Sequence, residues 1–205
     1  MKFLSKIFGG ASSAEAAAIR FHPTETCREC GSQLAQRDGE TDWCCPNQDC
    51  PARLRERLAH WCSPGAMDIP QIDAALVAAL VSKGLAYDPA ELYRVKLKEL
   101  AALEGMDAAR AQKIYDGITA SQKREAWRMI YGLSIPRVDA AIAQALGRFF
   151  PNVDAVFATG AGHLSRVAGI PDIVAQSLVR WYADSINRKL VKQLEKAGVN
   201  FDFRK

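Results

Sequence analysis

Two close pairs of cysteines near the N-terminus constrain this chain more than any other feature. The pairs are Cys27-Arg28-Glu29-Cys30 and Cys45-Pro46-Asn47-Gln48-Asp49-Cys50, with fourteen residues between them. Each pair can occupy one tight turn, which brings four thiolates to one tetrahedral zinc ion at about 2.3 Å. A site with four thiolates leaves no open coordination position, so the spacing predicts a structural zinc centre with the ligands Cys27, Cys30, Cys45 and Cys50.

The segment between the pairs predicts a small β-hairpin. Residues 33–37 and 41–43 read as its strands, and Gly39 reads as the centre of its turn. Two other interpretations of the cysteines exist, four unrelated buried thiols or two disulfides, and both fit the spacing poorly.

The N-terminal residues and the composition indicate an intracellular protein. Residues 1–8 are apolar over too short a run for a signal peptide or a membrane span, and Lys6 interrupts the run. Six cysteines without a secretory signal point to a reducing compartment, here the cytoplasm, where such clusters usually hold metal. The net charge of +4 is compatible with nucleic-acid binding but is low for a strong duplex binder of this size.

Helical patterns account for most of the remaining chain. From Asp73 onwards no strand pattern occurs, and aspartates at positions 88, 107 and 139 read as N-caps. The expected helices cover residues 14–20, 51–61, 74–82, 90–93, 107–121, 139–150, 171–184 and 187–197. We therefore expect an N-terminal extension (1–22), a zinc finger with its following helix (23–62), an all-α domain (63–199) and a tail (200–205).

A repeat runs through the all-α domain. In each copy a helix ends, a tight turn follows, and a new helix begins with small residues, at intervals of about 32 to 34 residues. The turn segments are 69–75, 104–109, 136–141 and 168–173. Recurrence at this period indicates a stacked supersecondary unit.

The motifs together resemble the C-terminal half of bacterial NAD-dependent DNA ligases, and the resemblance covers roughly residues 21–199. It is carried by Cys-x-x-Cys-Gly, by Pro51-Ala52 after the second pair, and by His60-Trp61-Cys62-Ser63 leading to Ala66-Met67-Asp68-Ile69. Further matching strings are Lys83-Gly84-Leu85, Ala90-Glu91-Leu92-Tyr93, Leu103-Glu104-Gly105-Met106, Ala111-Gln112 and Ile130-Tyr131-Gly132-Leu133. The resemblance implies a four-cysteine zinc finger followed by a domain of four helix-hairpin-helix motifs, a region that grips duplex DNA around a nick in those ligases.

The catalytic parts of such ligases are not expected here. The adenylation domain, the oligonucleotide-binding (OB) barrel and the C-terminal BRCT domain of the family have no counterpart in the 205 residues. The nearest string to the family's Lys-x-Asp-Gly motif is Lys113-Ile114-Tyr115-Asp116-Gly117, which is one residue too long and lies in an expected helix. We therefore expect no enzyme activity of the chain alone and no NAD cofactor.

The hairpin turns depart from the phosphate-binding pattern Gly-hydrophobic-Gly. The first glycine is present as Gly105 and Gly169, whereas Gln71 and Arg137 replace it in the other two turns. The second glycine is replaced by aspartate in three turns and by Pro171 in the fourth. An aspartate there is a good N-cap, but its carboxylate occupies the N–H groups that a phosphate would use.

The sequence hypothesis is a non-catalytic, sequence-independent DNA-binding module for double-stranded or nicked DNA, weakened by the loss of hairpin glycines. The candidate nucleic-acid-binding residues are Gly105, Arg110, Lys113, Lys123, Arg124, Arg137 and Gly169. The alternatives are a protein–protein interaction module on the same scaffold and a detached DNA-binding subunit of a split ligase. No membrane partner is expected.

Overall fold

The computed structural model describes residues 19–37 and 42–204, which fall into two compact units divided between Cys50 and Pro51. Most of the expected helix over residues 14–20 lies outside the described residues, as do Gly39 and Thr41 of the expected hairpin. The last two positions of that helix, residues 19 and 20, belong to a strand instead.

The N-terminal unit contains a two-stranded antiparallel sheet. Strand β1 (Ile19–Thr26) precedes the first cysteine pair and strand β2 (Gln33–Arg37) follows it, with Phe21 opposite Ala35 and an irregularity between Phe21 and Thr26. The predicted partner of β2, residues 41–43, is wrong as a strand. Only an isolated bridge joins Ala35 to Cys44 on that side, because the residues before Cys27 supply the main ladder.

The second unit is all helical in its described residues, which confirms the predicted fold class. The helices are α1 (Pro51–Cys62), α2 (Ala74–Ser82), α3 (Pro89–Leu92), α4 (Leu97–Ala101), α5 (Ala108–Ser121), α6 (Ala126–Gly132), α7 (Ala140–Phe149), α8 (Val153–Ala158), α9 (Ala161–Leu164), α10 (Asp172–Ala183) and α11 (Ser185–Lys196). Four short helices, α4, α6, α8 and α9, were not predicted, and α11 begins two residues before its expected start.

Four helical hairpins make up most of this unit. Their helix pairs are α1–α2, α4–α5, α6–α7 and α9–α10, and we number the hairpins 1 to 4 in that order. We call the residue two positions before each second helix's cap its turn residue: Gln71, Gly105, Arg137 and Gly169. All four have left-handed backbones, with φ of 62°, 70°, 66° and 89° respectively.

The hairpins associate as two tandem pairs. Gly117 of α5 approaches the turn of hairpin 1 so closely that an added Cβ would lie 2.8 Å from the Pro70 ring. In the second pair, the Ser177 hydroxyl of α10 donates to the Pro136 carbonyl in the turn of hairpin 3 at 2.6 Å. In both pairs, the second helix of one hairpin therefore holds the turn of the hairpin before it.

One apolar core runs through the helical unit and is centred on α1. Trp61 is fully buried, packs against Gly132 of α6, and donates from its indole N–H to the Tyr93 hydroxyl at 3.2 Å. Segment 199–204 lies against the same body, since the Asn200 N–H donates to the Gln122 carbonyl at 2.8 Å. Among the described residues, no helix is both long and apolar enough to cross a membrane.

Candidate zinc centre and nucleic-acid interface

The four predicted cysteine ligands converge on one point. Their Sγ atoms all lie within 4.8 Å of one another, with Cys27 and Cys50 3.6 Å apart and Cys30 and Cys45 3.4 Å apart. Four sulfurs held at about 2.3 Å from a tetrahedral zinc would be about 3.8 Å apart, so the set fits this metal. The sulfurs are also much farther apart than the roughly 2.05 Å of a disulfide bond. This geometry argues against the disulfide interpretation.

Local backbone turns present each pair of thiols. After the first pair, Gly31 has φ of 72°, its N–H donates to the Cys27 carbonyl at 2.8 Å, and the Cys27 N–H donates to the Ser32 carbonyl at 2.7 Å. In the second pair, the Cys50 N–H donates to the Asn47 carbonyl at 3.3 Å. Cys44 is instead tied to the Ala35 backbone beside the sheet.

The thiols of the site differ in their acidity before a metal binds. The Ser32 hydroxyl, followed by the Ser32 backbone N–H, lowers the pKa of the Cys30 thiol to about 6. Burial raises the pKa of the Cys45 thiol to about 12. Because zinc binds thiolates, its binding must release the proton of Cys45, and the metal's charge compensates the burial.

In the helical unit, three of the four second helices begin with an aspartate cap. Asp73, Asp107 and Asp139 each accept a hydrogen bond at 2.8 Å from the backbone N–H three residues further on. Pro171 makes no such bond, so the start of α10 has no side-chain cap. The prediction that the aspartates cap their helices is confirmed.

A shallow groove lies between the turns of hairpins 1 and 2. It is lined by Gln71, Asp73, Asp107, Arg110 and Lys113, among others. The Arg110 guanidinium donates to the Asp73 carboxylate across the groove at 2.9 Å. The Leu76 N–H, and further the Arg110 charge, hold the pKa of Asp73 below its usual range, so this carboxylate is ionised at neutral pH. The groove thus contains an internal ion pair.

The candidate binding residues are distributed over all four hairpins. Gly105 and Gly169 occupy exposed turns with left-handed backbones, as does Arg137. Lys113 and Lys123 are exposed on and just after α5.

Two of the candidate arginines already have partners. Arg110 pairs with Asp73, and Arg124 donates to the Asp68 carboxylate at 2.6 Å. Arg128, also a basic residue near the hairpins, donates to the Pro64 and Ala66 carbonyls at 3.0 and 2.9 Å. These side chains brace the turn of hairpin 1.

Sequence reasoning could not find the Asp73–Arg110 contact, because the two residues are 37 positions apart and meet only through the tandem packing of hairpins. The role of Ser32 beside Cys30 was also missed, although its position directly after the Cys-Gly turn was a usable signal. The ligase-like string around Lys113 lies within α5, as expected.

Three segments match known families. Residues 26–52 match the NAD-dependent DNA ligase C4 zinc finger domain, residues 66–119 match a SAM-like helix-hairpin-helix tandem, and residues 128–191 match a helix-hairpin-helix motif. The last two segments coincide with the two tandem pairs of hairpins. The first match, with the cysteine geometry, confirms the predicted zinc site type.

Curated relatives extend the likeness over most of the chain. Proteins named DNA ligase from Koribacter versatilis, Synechococcus sp. (strain JA-3-3Ab) and Rubrobacter xylanophilus are 38%, 36% and 35% identical to it over 182, 182 and 181 residues. The alignments cover 89%, 89% and 88% of this chain but only 27%, 27% and 26% of the relatives. The chain therefore spans about a quarter of their length, and its resemblance to the zinc-finger and helix-hairpin-helix part of the ligases is confirmed.

Proposed function

We propose that the described residues form a zinc-stabilised, non-catalytic module that binds duplex DNA, intact or nicked, without reading its sequence. The observation that carries this proposal is the left-handed turn residue that precedes the second helix of all four hairpins. It recurs in the two segments that match helix-hairpin-helix families. The names of the relatives add that such segments occur in proteins that join DNA.

The turn geometry suits contact with phosphate oxygens. The left-handed residue turns the chain directly into a helix N-terminus, where backbone N–H groups and the helix dipole favour an anion. At Gly105 and Gly160 an added Cβ would meet open space, and Gly105 lies on an exposed turn where a phosphodiester can approach the backbone. Backbone contacts to phosphates carry no sequence information, hence the expected indifference to sequence.

The same site accounts for a modest affinity. In hairpins 1 to 3 the aspartate caps occupy one N–H each and add a negative charge beside the turn. Arg110 and Arg124 must exchange or share their carboxylate partners before they can bind phosphate. We therefore expect micromolar rather than nanomolar binding at physiological salt, within the range typical of sequence-independent contacts.

Zinc has a structural role in this proposal. Four thiolates leave no position for substrate, and the two-stranded sheet is too small to supply a core of its own. We assign no catalytic residue, because the only ligase-like lysine string lies along α5. Strand joining would then need an adenylating domain from elsewhere, and mixing with one is the test of a split ligase.

Fluorescence anisotropy of the zinc-loaded protein tests the proposal. Labelled intact, nicked and single-stranded DNA would be titrated at 50 and 200 mM salt, with wild type, Arg137→Glu and a matched control, Arg94→Glu, on the exposed end of α3. We expect salt-sensitive binding of the duplexes that Arg137→Glu weakens more than Arg94→Glu does. Absence of binding to all three DNAs at 50 mM salt would refute the proposal and favour a protein partner.

A further inference from the structure

The last helix, α11, has an exposed face of basic residues that the hairpins do not account for. Its sequence contains four basic residues and one acid, Glu195, whereas the whole chain has a net charge of only +4. Lys189, Lys192 and Lys196 follow one another at intervals of three and four residues, which places them on one side of the helix. All three are exposed, and we call them the lysine face.

The lysine face lies opposite the side by which α11 joins the core. Val191 and Leu194 are 2% and 0% exposed and anchor the helix. At 100° per residue, their directions point away from the lysines, and Glu195 is offset from the lysines by roughly a quarter turn. The helix therefore presents its positive charge outward as a continuous stripe.

These lysines differ from the hairpin arginines in being unpaired. Within the part of the chain that the structure describes, none of the three has an ion-pair or hydrogen-bond partner. Arg110, Arg124 and Arg128, by contrast, each have a carboxylate partner. A cation that is free in the unbound protein loses no internal contact when it meets a phosphate.

We propose that the lysine face is a second docking surface for the phosphate backbone of duplex nucleic acid, in addition to the hairpin turns. The inference rests on the proposed DNA binding and extends it to a part of the chain partly beyond the matched segments, which end at residue 191.

The dimensions of the stripe fit a duplex backbone. Seven helical positions at about 1.5 Å each separate the first lysine from the last by about 10.5 Å. One strand of B-DNA places a phosphate every 3.4 Å of axis, so a stripe of this length reaches about three successive phosphates. The apolar side of α11 is buried in the core, which leaves an electrostatic contact as the role of its outer side.

The test compares two triple variants in the zinc-loaded full chain. The first converts the lysine face to glutamine, Lys189→Gln, Lys192→Gln and Lys196→Gln. The control removes the same charge elsewhere, at the exposed residues Lys83, Lys96 and Lys98, also to glutamine. Affinity for a nicked duplex would be measured by anisotropy from 50 to 200 mM salt, and far-UV circular dichroism would verify that each variant folds.

Each lost phosphate contact should lower the slope of log affinity against log salt by about 0.9, so the lysine-face variant should lose about 2.7. Over this fourfold change in salt, its affinity should therefore fall roughly 40-fold less than that of wild type. The control should keep the wild-type slope. In parallel, lysine acetylation read by mass spectrometry should be reduced by DNA at the lysine face and unchanged at the control lysines.

The outcomes separate this inference from the proposed function. If wild type binds DNA and the lysine-face variant keeps its slope and affinity, the second surface is refuted while the hairpin proposal stands. If wild type does not bind DNA at all, both fail. Equal loss in both triple variants would show a diffuse effect of net charge and would also overturn the assignment to α11.

Discussion

The left-handed turn residues make a prediction that two alanine substitutions can test against each other. Gly105 and Gly162 both face open space, so an added Cβ meets no neighbour at either position. They differ in backbone, because Gly105 has φ of 70° whereas Gly162 lies within α9 and outside the left-handed region. The same chemical change should therefore have opposite effects.

The magnitudes follow from backbone conformation alone. A left-handed backbone costs a residue with a Cβ about 1 to 2 kcal/mol, and replacing glycine recovers about 0.4 to 1 kcal/mol by restricting the unfolded chain. Gly105→Ala should thus lower the free energy of unfolding by about 1 kcal/mol. Gly162→Ala should raise it by up to about 1 kcal/mol, since alanine is the better helix former.

Urea unfolding followed by circular dichroism at 222 nm would measure both variants. The expected result is a lower midpoint for Gly105→Ala and an equal or higher one for Gly162→Ala, with unchanged slopes. The reverse substitution at an equivalent turn, Gln71→Gly, should stabilise, because Gln71 has φ of 62°. If Gly105→Ala matched or exceeded wild type, the left-handed turn would not be the conformation of hairpin 2, and the structural basis of the proposed phosphate contact would fail.

Three further predictions concern the metal, the core and a cap. Cys50→Ser should lower the zinc content measured by mass spectrometry, whereas Cys62→Ser, outside the cluster, should keep one zinc per chain; full zinc in Cys50→Ser would contradict the ligand set. Gly132→Ala should destabilise the fold by about 1 kcal/mol or more in urea unfolding, because its Cβ would lie 2.9 Å from the buried Trp61 ring; an unchanged midpoint would show that the ring yields freely. Asp139→Ala should cost about 1 kcal/mol of stability and yet strengthen DNA binding in anisotropy, because it frees an N–H and removes a negative charge; a weaker complex would show that the cap supports binding.

The features that the sequence predicted best have local causes. The aspartates before α2, α5 and α7 cap helices through a contact only three residues away, so their positions could be read directly. The zinc centre was predictable for a related reason, because two tight turns and one metal leave little freedom in how four thiolates are arranged.

The features that the sequence missed depend on distant residues. Helices α4 and α8 have five and six residues, too few to be stable alone, and they form because Leu100 and Val156 are buried in the common core. The partner of β2 was wrong for a similar reason. Strand pairing is decided by long-range contacts, and the alanine-rich residues before β1 favoured a helix instead.

The departures of the turns from the glycine pattern can now be divided into shape and charge. Gln71 and Arg137 stand where glycine is usual, yet their backbones keep the left-handed conformation of Gly105 and Gly169, so the shape of the hairpin is unchanged. The aspartates alter charge and occupy an N–H, but they also leave the helix start in place. If phosphate binding is weak in this protein, the cause is therefore electrostatic. Weakness of that kind can be compensated by cations outside the hairpins, and the unpaired lysines of α11 are the cations in the described chain best placed to do so.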